Sequence, residues 1–255
     1  MTDSGISKNH PRFRSLKIRN DLSDFYNKGI ISDFGLIAHG RGEAFDYLIG
    51  EITIPPTINA IKAAAITLLN SHNPVISVNG NVAALVPNEI VKLSNIINCK
   101  IEINLFHHSK TRAKIISDIL YKSGAKEILG LKSLTNIPEI FSNRSQVDPE
   151  GIFKADTVLV PLEDGDRVQT LVKMGKKVIV IDLNPLSRSS KYATISIIDN
   201  VVRAFPLLIS YIKQFKDNNN KIELNEFHNS NNLKLCLKYI TKNLSQKFTK
   251  YNFKI

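Results

Sequence analysis

The amino-acid sequence predicts an α/β fold in which a mostly parallel sheet is covered by helices on both faces. Two observations support this prediction. Short runs of β-branched residues alternate with segments of helical periodicity over residues 75–198. The runs are continuously apolar, which is typical of parallel strands buried on both sides. We also expect a helical segment before the sheet and a helical extension after it.

The predicted elements follow in chain order. Apolar spacing predicts helices over Leu16–Tyr26 and Ile58–Leu69, and Pro55-Pro56 interrupts the chain before the second. The strand candidates are VISV (Val75–Val78), IEINL (Ile101–Leu105), TVLVPL (Thr157–Leu162), KVIVID (Lys177–Asp182), ATISII (Ala193–Ile198) and a weaker EIL (Glu127–Leu129). The intervening helices are predicted over Val82–Ile97, Thr111–Ser123 and Arg167–Met174.

The chain divides by composition into an N-terminal helical part (10–72), a sheet core (73–215) and an Asn/Lys-rich tail (216–255). The polar connection over residues 136–150 is long enough to suggest a functional loop. The tail begins as a linker and ends in an amphipathic helix from Leu233, whose apolar stripe comprises Leu233, Leu237, Ile240, Leu244, Phe248 and Tyr251. This helix either binds a membrane surface or partner, or packs on its own domain or a dimer mate, and we favour packing.

The positive charge is concentrated in the tail. From Lys213 to Ile255, nine lysines and three acids give +6 of the net +11, which leaves +5 for the other residues. The isoelectric point alone therefore does not predict nucleic-acid binding. No apolar run reaches membrane-spanning length, and the N-terminus lacks a secretory h-region. Cys99 and Cys236 lack a CxxC companion, so we expect reduced thiols in a cytoplasmic protein with no membrane anchor.

Polar clusters follow the predicted strands at their carboxyl ends, where parallel sheets bind ligands. In strand order these clusters are Asn79-Gly80-Asn81, His107-His108, Glu163-Asp164-Gly165-Asp166-Arg167, Asn184-Pro185-Leu186-Ser187-Arg188 and Asp199-Asn200. The amino ends of the strands carry no comparable polar clusters and follow residues such as Asn73-Pro74 and Lys176. This asymmetry predicts one binding crevice along one edge of the sheet.

Each cluster has a chemical use. Asn79-Gly80-Asn81 opens a helix, either to bring backbone N–H groups to an anion or simply to cap the turn. Three carboxylates within Glu163–Asp166 fit a cation, a metal or a substrate amine, or else form an acidic first helical turn. Asp182 stands where doubly wound folds place a ribose-binding acid, and Ser187-Arg188 can donate to phosphate.

Absent motifs narrow the chemistry. The sequence has no GxxxxGK[ST] loop, no GxGxxG after a strand, and no HExxH or CxxC-type cluster, so we predict no resident metal site. The ionisable stretch His39–Glu51 (HGRGEAFDYLIGE) is expected to be a glycine-rich loop that leads into a helix near Glu43 and approaches a polyanion closely.

Four blocks together resemble the archaeal 4-phosphopantoate–β-alanine ligase (phosphopantothenate synthetase) family. They are HGRGEAFDYLIGE (His39–Glu51), ISVNGNVAALVP (Ile76–Pro87), EGIFKADTVLVPLEDGDR (Glu150–Arg167) and VIDLNPLSRSS (Val180–Ser190). The resemblance extends over about residues 10–212 and departs from the family at His107-His108, where a Tyr–Arg-like pair is expected, and in the tail after Phe215. It implies a single Rossmann-like ligase domain over 1–215 and a homodimer.

The resemblance implies ATP-dependent condensation of 4-phosphopantoate with β-alanine through an acyl-adenylate, with Mg²⁺ bridging diphosphate oxygens. By motif, the implied nucleotide-binding residues are Arg19, Arg41, Asp182, Leu183, Asn184, Ser187, Arg188, Asp199 and Asn200. We further expect Asn79, Gly80, Asn81, Asp166 and Arg167 to contact substrates. The candidates for the proton acceptor are His39, Glu43 and Asp164, which the sequence leaves unranked.

Two expectations and three alternatives complete the prediction. Arg41→Ala should abolish the reaction without unfolding the chain, and deletion of residues 218–255 should spare catalysis. The alternatives are another nucleotide-dependent ligase or phosphotransferase acting on a small acid, a non-catalytic nucleotide-binding protein, and a nucleic-acid-binding protein that uses the basic tail.

Overall fold

The computed structural model describes most of the chain. The model describes residues 7–10, 12–106, 109–132, 134–140, 142–162, 164–217 and 227–250, without the side chains of 247–250. The predictions that concern His107-His108, Glu163, the linker 218–226 and the stripe residues Phe248 and Tyr251 lie outside this description.

A parallel five-stranded sheet forms the centre of the fold, as predicted. Its strands are β1 (Pro74–Val78), β2 (Lys100–Ile103), β5 (Thr157–Pro161), β6 (Lys177–Ile181) and β7 (Ile195–Ile197). They lie in the order β2-β1-β5-β6-β7. The segment predicted as a weak strand contributes only an isolated bridge between Glu102 and Leu129. In sheet order this is the 2-1-3-4-5 arrangement of doubly wound flavodoxin-like folds, whose ligands bind near the reversal between β1 and β5.

Most of the predicted helices are present, whereas the helices after β6 and β7 were not predicted. They are α1 (Phe13–Asn27), α2 (Asp33–Ile49), α3 (Pro55–Leu69), α4 (Gly80–Leu85), α5 (Pro87–Ile97), α6 (Lys110–Lys122), α7 (Gly165–Lys173), α8 (Arg188–Tyr192), α9 (Val201–Asp217) and α10 (Asn229–Lys250). The single helix predicted over Val82–Ile97 is two helices. Val86 leaves helical geometry at φ −140° and ψ 42° because it precedes Pro87, which begins α5.

Helix α2 corrects the prediction for the ionisable stretch. The segment from His39 is not a loop, because the helix begins at Asp33 and runs to Ile49. Ser32 caps it by accepting a hydrogen bond from the Gly35 N–H, and Gly50 ends it at φ 101°. A glycine in a helix costs about 1 kcal/mol relative to alanine, and packing of the helix outweighs that cost.

Two apolar layers cover the sheet. Alternate strand residues such as Ile76, Ile179 and Ile181 face the layer formed by α3, α4, α5, α6 and α9. Their neighbours, including Val178 and Val180, face α7 and the segment 137–155. This alternation places a hydrophobic layer on each face, so both faces are covered as predicted.

The polar connection over 136–150 contains short structured elements. β3 (Thr135–Asn136) and β4 (Gln146–Val147) form an antiparallel pair, a 3₁₀ turn spans Asn143–Ser145, and a π turn spans Pro149–Phe153. The connection packs on β2 through Glu102, which is fully buried. The Glu102 carboxylate accepts the backbone N–H groups of Asp148 at 3.0 Å and Ile152 at 2.6 Å.

Helix α10 packs on the same domain, as we favoured. Its residues Leu233, Cys236 and Ile240 are buried against a cluster that includes Ile49 and Leu183. Two asparagines of α10 also bond the outer edge of β7. The Asn229 Oδ1 accepts the Ser196 N–H at 2.9 Å, and the Asn232 Nδ2 donates to the Ser196 carbonyl at 2.8 Å. Among the described residues, no helix combines the length and apolar character needed to cross a bilayer.

Candidate active site

A cavity of about 630 Å³ opens at the carboxyl edge of the sheet, between α2 and the loops after β1, β5, β6 and β7. Most predicted site residues line it. They are His39, Arg41, Asn79, Gly80, Asn81, Asp164, Asp182, Leu183, Asn184, Ser187, Arg188, Asp199 and Asn200. Arg41, Asp164 and Arg188 are remote in the chain and share one cavity, as the proposed nucleotide site requires.

Four predicted site residues are absent from this lining. Arg19 pairs with Glu43, its Nε lying 2.9 Å from Oε1, and this hydrogen bond raises the pKa of Arg19. Asp166 lies in the first turn of α7. The predicted substrate contact of Arg167 is corrected. Its residue is 1% exposed, and its side chain donates to the Ser77 Oγ inside the core at 3.3 Å.

Asp182 lies in the turn after β6, where hydrogen bonds from the same turn hold its carboxylate. The Asp182 carboxylate accepts the Ser187 Oγ–H at 2.6 Å and the Asn184 N–H at 3.0 Å. Burial raises the pKa of Asp182, and the nearby Arg41 guanidinium opposes that shift. Two ordered donors hold this carboxylate at the cavity surface.

The side chain of Arg188 packs closely against Gly165. A β-carbon added at position 165 would collide with the Cβ, Cγ and Cδ of Arg188, so the close approach requires glycine. The Arg188 Nη2 donates to the Gln169 Oε1 at 2.7 Å. The N-terminal half of α7 thereby supports an arginine that enters the cavity from α8.

Asp199, at the start of α9, is fully buried and accepts three hydrogen bonds. The donors are the Thr53 Oγ1–H at 2.5 Å, the Arg203 Nε–H at 2.8 Å and the Asn200 N–H at 2.8 Å. Burial raises the pKa of Asp199, and Arg203 counters this effect. Arg203 is not among the residues predicted from the sequence, although its four-residue spacing from Asp199 was a usable signal.

The asparagines after β1 serve as structural caps and links. The Asn79 Oδ1 accepts the Val82 N–H, while its Nδ2 donates to the carbonyls of Pro161 and Leu162 at 3.0 Å each. The Asn81 Nδ2 donates to the Gly35 carbonyl at 2.8 Å. Asn79 therefore caps α4 and links it to the end of β5, whereas Asn81 links α4 to α2. The expected substrate contacts of Asn79, Gly80 and Asn81 stay a prediction.

Two further arginines line the cavity, and neither is among the residues predicted from the sequence. Arg144 is buried in the connection after β3, and its Nε lies 3.1 Å from the Asp164 Oδ2. Arg112, in the first turn of α6, donates from its Nε to the Ile30 carbonyl at 2.9 Å. The length of the polar connection was the available signal for Arg144.

Three acid–base candidates differ in placement. His39 lines the cavity, and burial lowers its pKa, so its imidazole is neutral near pH 7. Glu43 is engaged by Arg19 away from the lining, and Asp164 is paired with Arg144. His39 is therefore the candidate best disposed to accept a proton within the cavity.

The described cavity lining carries four arginines (Arg41, Arg112, Arg144, Arg188) and three aspartates (Asp164, Asp182, Asp199). Such a surface accommodates anionic ligands while retaining acceptors for hydroxyl groups. In the part of the chain that the structure describes, no three His, Cys, Asp or Glu side chains cluster as a metal site.

The fold and cavity define a doubly wound α/β protein with a cavity lined by arginines and aspartates at the carboxyl edge of its sheet. The family model of phosphopantothenate/pantothenate synthetases matches residues 56–243. The chain belongs to this family, which confirms the resemblance seen in the sequence. The match extends into α10, so the tail departs from the family less than expected.

Curated relatives agree with this membership. The 4-phosphopantoate–β-alanine ligase of Thermococcus onnurineus is 53% identical over 213 residues, covering 83% of this chain and 82% of that protein. The protein of the same name from Thermococcus kodakarensis is 52% identical over 83% of this chain and 82% of its own. The Methanospirillum hungatei ligase is 44% identical over 94% of this chain and 98% of its own.

Proposed function

We propose that this chain is a cytoplasmic ATP-dependent 4-phosphopantoate–β-alanine ligase that supplies 4′-phosphopantothenate for coenzyme A synthesis. The observation that carries the proposal is the single cavity in which Arg41, Asp182 and Arg188 meet. The names of the relatives support the choice of substrates. Two free, buried cysteines fit a reducing compartment.

The nucleotide is assigned to the β6/β7 end of the cavity. Asp182 would hold a ribose hydroxyl, since an acid after a strand of a doubly wound sheet is suited to this role. Asp199 and Asn200 would contact adenosine, and Arg41 and Arg188 would bind its phosphates. Arg19 remains a proposed nucleotide contact, although it pairs with Glu43 outside the cavity lining.

The proposed reaction has two steps. An acid carboxylate oxygen attacks the α-phosphorus of ATP, and the bond to the diphosphate leaving group breaks, giving an acyl-adenylate. The β-alanine amine then attacks the acyl carbon, the amide bond forms, and AMP leaves. His39 is our choice to accept the proton that the amine loses, because it is held neutral in the cavity.

Orientation of the bound reactants supplies much of the acceleration, about 7–11 kcal/mol in favourable cases. Mg²⁺ would neutralise charge on the nucleotide phosphates. The described residues fit an ion carried mainly by phosphate oxygens and water, because Asp164 and Asp182 reach the cavity and no larger ligand cluster is present among them. The cationic side chains would orient the phosphates.

We also propose that the protein is a homodimer. Phe34 and Ile37 of α2 each expose 64% of their surface, and adjacent exposed apolar side chains are typical of protein interfaces. Sedimentation equilibrium would give twice the monomer mass of 28.6 kDa. A monomer at micromolar concentration would contradict the proposal.

The decisive test of the function is the set of products formed from ATP. With 4-phosphopantoate and β-alanine present, we expect AMP, diphosphate and one amide per turnover, and no AMP without the acid. ADP formation would favour a different ligase or a phosphotransferase. Nucleotide binding without turnover would favour a non-catalytic sensor.

A further inference from the structure

The strand β2, at one end of the five-stranded sheet, carries polar side chains on the face that meets the connection over residues 136–150. Ile101 and Ile103 point into the apolar layer on the other face. Because successive residues of a strand point to opposite faces, Lys100, Glu102 and Asn104 point toward the connection. The strands β5 and β6 present apolar side chains to this same face. The polar residues of β2 therefore hold the connection by hydrogen bonds.

The first two of these side chains hold the end of the connection. The Lys100 Nζ donates to the Glu150 carbonyl at 2.6 Å. The Glu102 carboxylate accepts two backbone N–H groups of the segment 148–152. A β-carbon added at Gly151 would meet the Glu102 Oε2 at 2.0 Å, so this close contact requires glycine.

The third side chain, Asn104, holds the 3₁₀ turn that carries Arg144. Its buried Nδ2 donates to the Gln146 carbonyl at 2.9 Å and lies 3.5 Å from the Arg144 carbonyl. In the opposite direction, the Asn143 Nδ2 donates to the Phe106 carbonyl at 3.2 Å. Amide side chains from both segments thus join the turn to the chain directly after β2. These bonds hold the backbone from which the arginine extends.

The arginine of this turn reaches the cavity. Arg144 is buried and lines the cavity, and its Nε lies 3.1 Å from the Oδ2 of Asp164, which lines the cavity as well. The next residue, Ser145, accepts the Ile137 N–H at its carbonyl at 2.8 Å. A displacement of about 1 Å at a reaction site can cost about a hundredfold in rate. The bonds that hold this turn therefore bear on whatever chemistry the cavity performs.

We propose that Asn104 is a positioning residue that holds the turn over residues 143–146 and thereby keeps Arg144 at the cavity wall. This inference rests on the proposed function, which makes the cavity the site of amide formation. Asn104 is absent from the described lining of the cavity, so its effect on the reaction passes through the turn and its arginine. Lys100 and Glu102 hold the segment that follows, farther along the chain from Arg144.

A double-mutant cycle tests whether Asn104 acts through Arg144. Asn104→Leu removes the amide donor, and we expect kcat/KM for amide formation to fall at least tenfold. In an Arg144→Gln background the same substitution should lower kcat/KM less than twofold, because no guanidinium group remains to be positioned. Asn104→Gln, which keeps an amide donor, should retain more activity than Asn104→Leu.

Lys100→Met is the matched control, since it removes a hydrogen bond from the same face of β2 to the same connection. Its kcat/KM should stay within twofold of the wild-type value. Equal losses from Asn104→Leu in both backgrounds, or no loss in either, would overturn the inference. Thermal unfolding of each variant identifies loss of folding, and Asn104→Gln then takes the place of Asn104→Leu in the cycle.

Hydrogen exchange separates this inference from the proposed function. Backbone amides of residues 142–148 should exchange at least tenfold faster in Asn104→Leu than in the wild type, whereas those of α9 should be unchanged. Unchanged exchange at 142–148, or an equal acceleration in α9, would contradict the positioning role even if the wild type forms the amide. Failure of the wild type to form the amide, with the local acceleration retained, would reject the proposed function alone.

Discussion

Arg203 of α9 donates to both oxygens of Asp46 in α2, with its Nη2 2.5 Å from Oδ1 and its Nη1 3.2 Å from Oδ2. The same guanidinium lies 2.6 Å from the Asp199 Oδ1. One cation thus pairs with two buried carboxylates and joins the helix that carries His39 and Arg41 to the loop that carries Asp199. Removing one partner of such a network costs more than an exposed ion pair, because the remaining charges stay buried.

We therefore expect Arg203→Met to lower the free energy of unfolding by about 3–5 kcal/mol. The double variant Asp46→Asn/Arg203→Met should lose less free energy of unfolding than Arg203→Met, because it leaves fewer uncompensated carboxylates. Lys213→Ala on the exposed side of α9 is the matched control. Urea unfolding at pH 7 measures all three, and equal stability of Arg203→Met and wild type would contradict the network.

Arg41→Ala tests the nucleotide end of the cavity. Arg41 is exposed on α2 and lines the cavity, so its removal should leave the melting temperature nearly unchanged. Amide formation should fall at least a hundredfold because the phosphates lose a charged donor. Lys92→Ala, an exposed charge on α5, should keep full activity. Near wild-type turnover by Arg41→Ala would remove this residue from the site.

Gly40→Ala tests the helical assignment of the ionisable stretch. A β-carbon at position 40 meets nothing within 4 Å, and alanine is the better helix former. The change should raise the free energy of unfolding by about 0.5–1 kcal/mol. Gly50→Ala should lower the free energy of unfolding, because Gly50 adopts φ 101°, a left-handed conformation that disfavours alanine. Destabilisation by Gly40→Ala in a melting experiment would argue for a loop.

Deletion of the tail now has a different expected outcome from the one that the sequence suggested. Removing residues 218–255 exposes the surfaces covered by Leu233, Cys236 and Ile240. At about 1.5–3 kcal/mol for each large apolar side chain, several kcal/mol of stability should be lost. Activity should fall as well, because α10 packs on Leu183 and α2. Removing only residues 251–255 is the control, and equal melting temperatures for both truncations would refute this expectation.

Glu102 predicts a defined dependence of stability on pH. Burial raises the pKa of Glu102 from 4.5 to about 7 in the folded chain. Between these values the folded state binds more protons than the unfolded state, so stability falls as the pH rises through the window. Two to three pKa units correspond to about 3–4 kcal/mol at most.

Glu102→Gln removes this titration. The advantage of the wild type over the variant in urea unfolding should be largest at pH 5 and should shrink by pH 8. Glu127→Gln, at an exposed position, should show a constant difference across the same range. A difference for Glu102→Gln that does not vary with pH would place the carboxyl pKa near its ordinary value.

The sequence predicted the sheet and the edge of the sheet at which the cavity opens. Continuous apolar runs, such as the one after Lys177 in β6, have few alternatives to a buried parallel strand. The carboxyl ends of those strands converge, so Asp182 and Asp199 were found from strand positions alone. These predictions used local patterns whose spatial consequence is fixed by the topology of parallel sheets.

Other features depend on tertiary contacts that local patterns do not contain. The glycines of α2 are typical of a loop in sequence. The residue that caps this helix, Ser32, lies seven residues before the stretch that begins at His39. Arg112 and Arg144 reach the cavity from a helix and from an irregular connection, away from the strand ends. Arg167 follows a strand and yet turns into the core, which a strand position cannot reveal.

The asparagines of α10 have a consequence for how copies of this protein behave at high concentration. An open strand edge offers unpaired amide and carbonyl groups to any other extended chain, and such edges seed aggregation. Ser196 presents these groups on the outer side of β7, and Asn229 and Asn232 bind both of them. The last helix thereby protects the sheet from intermolecular strand addition, and a chain that loses it would be prone to form insoluble assemblies.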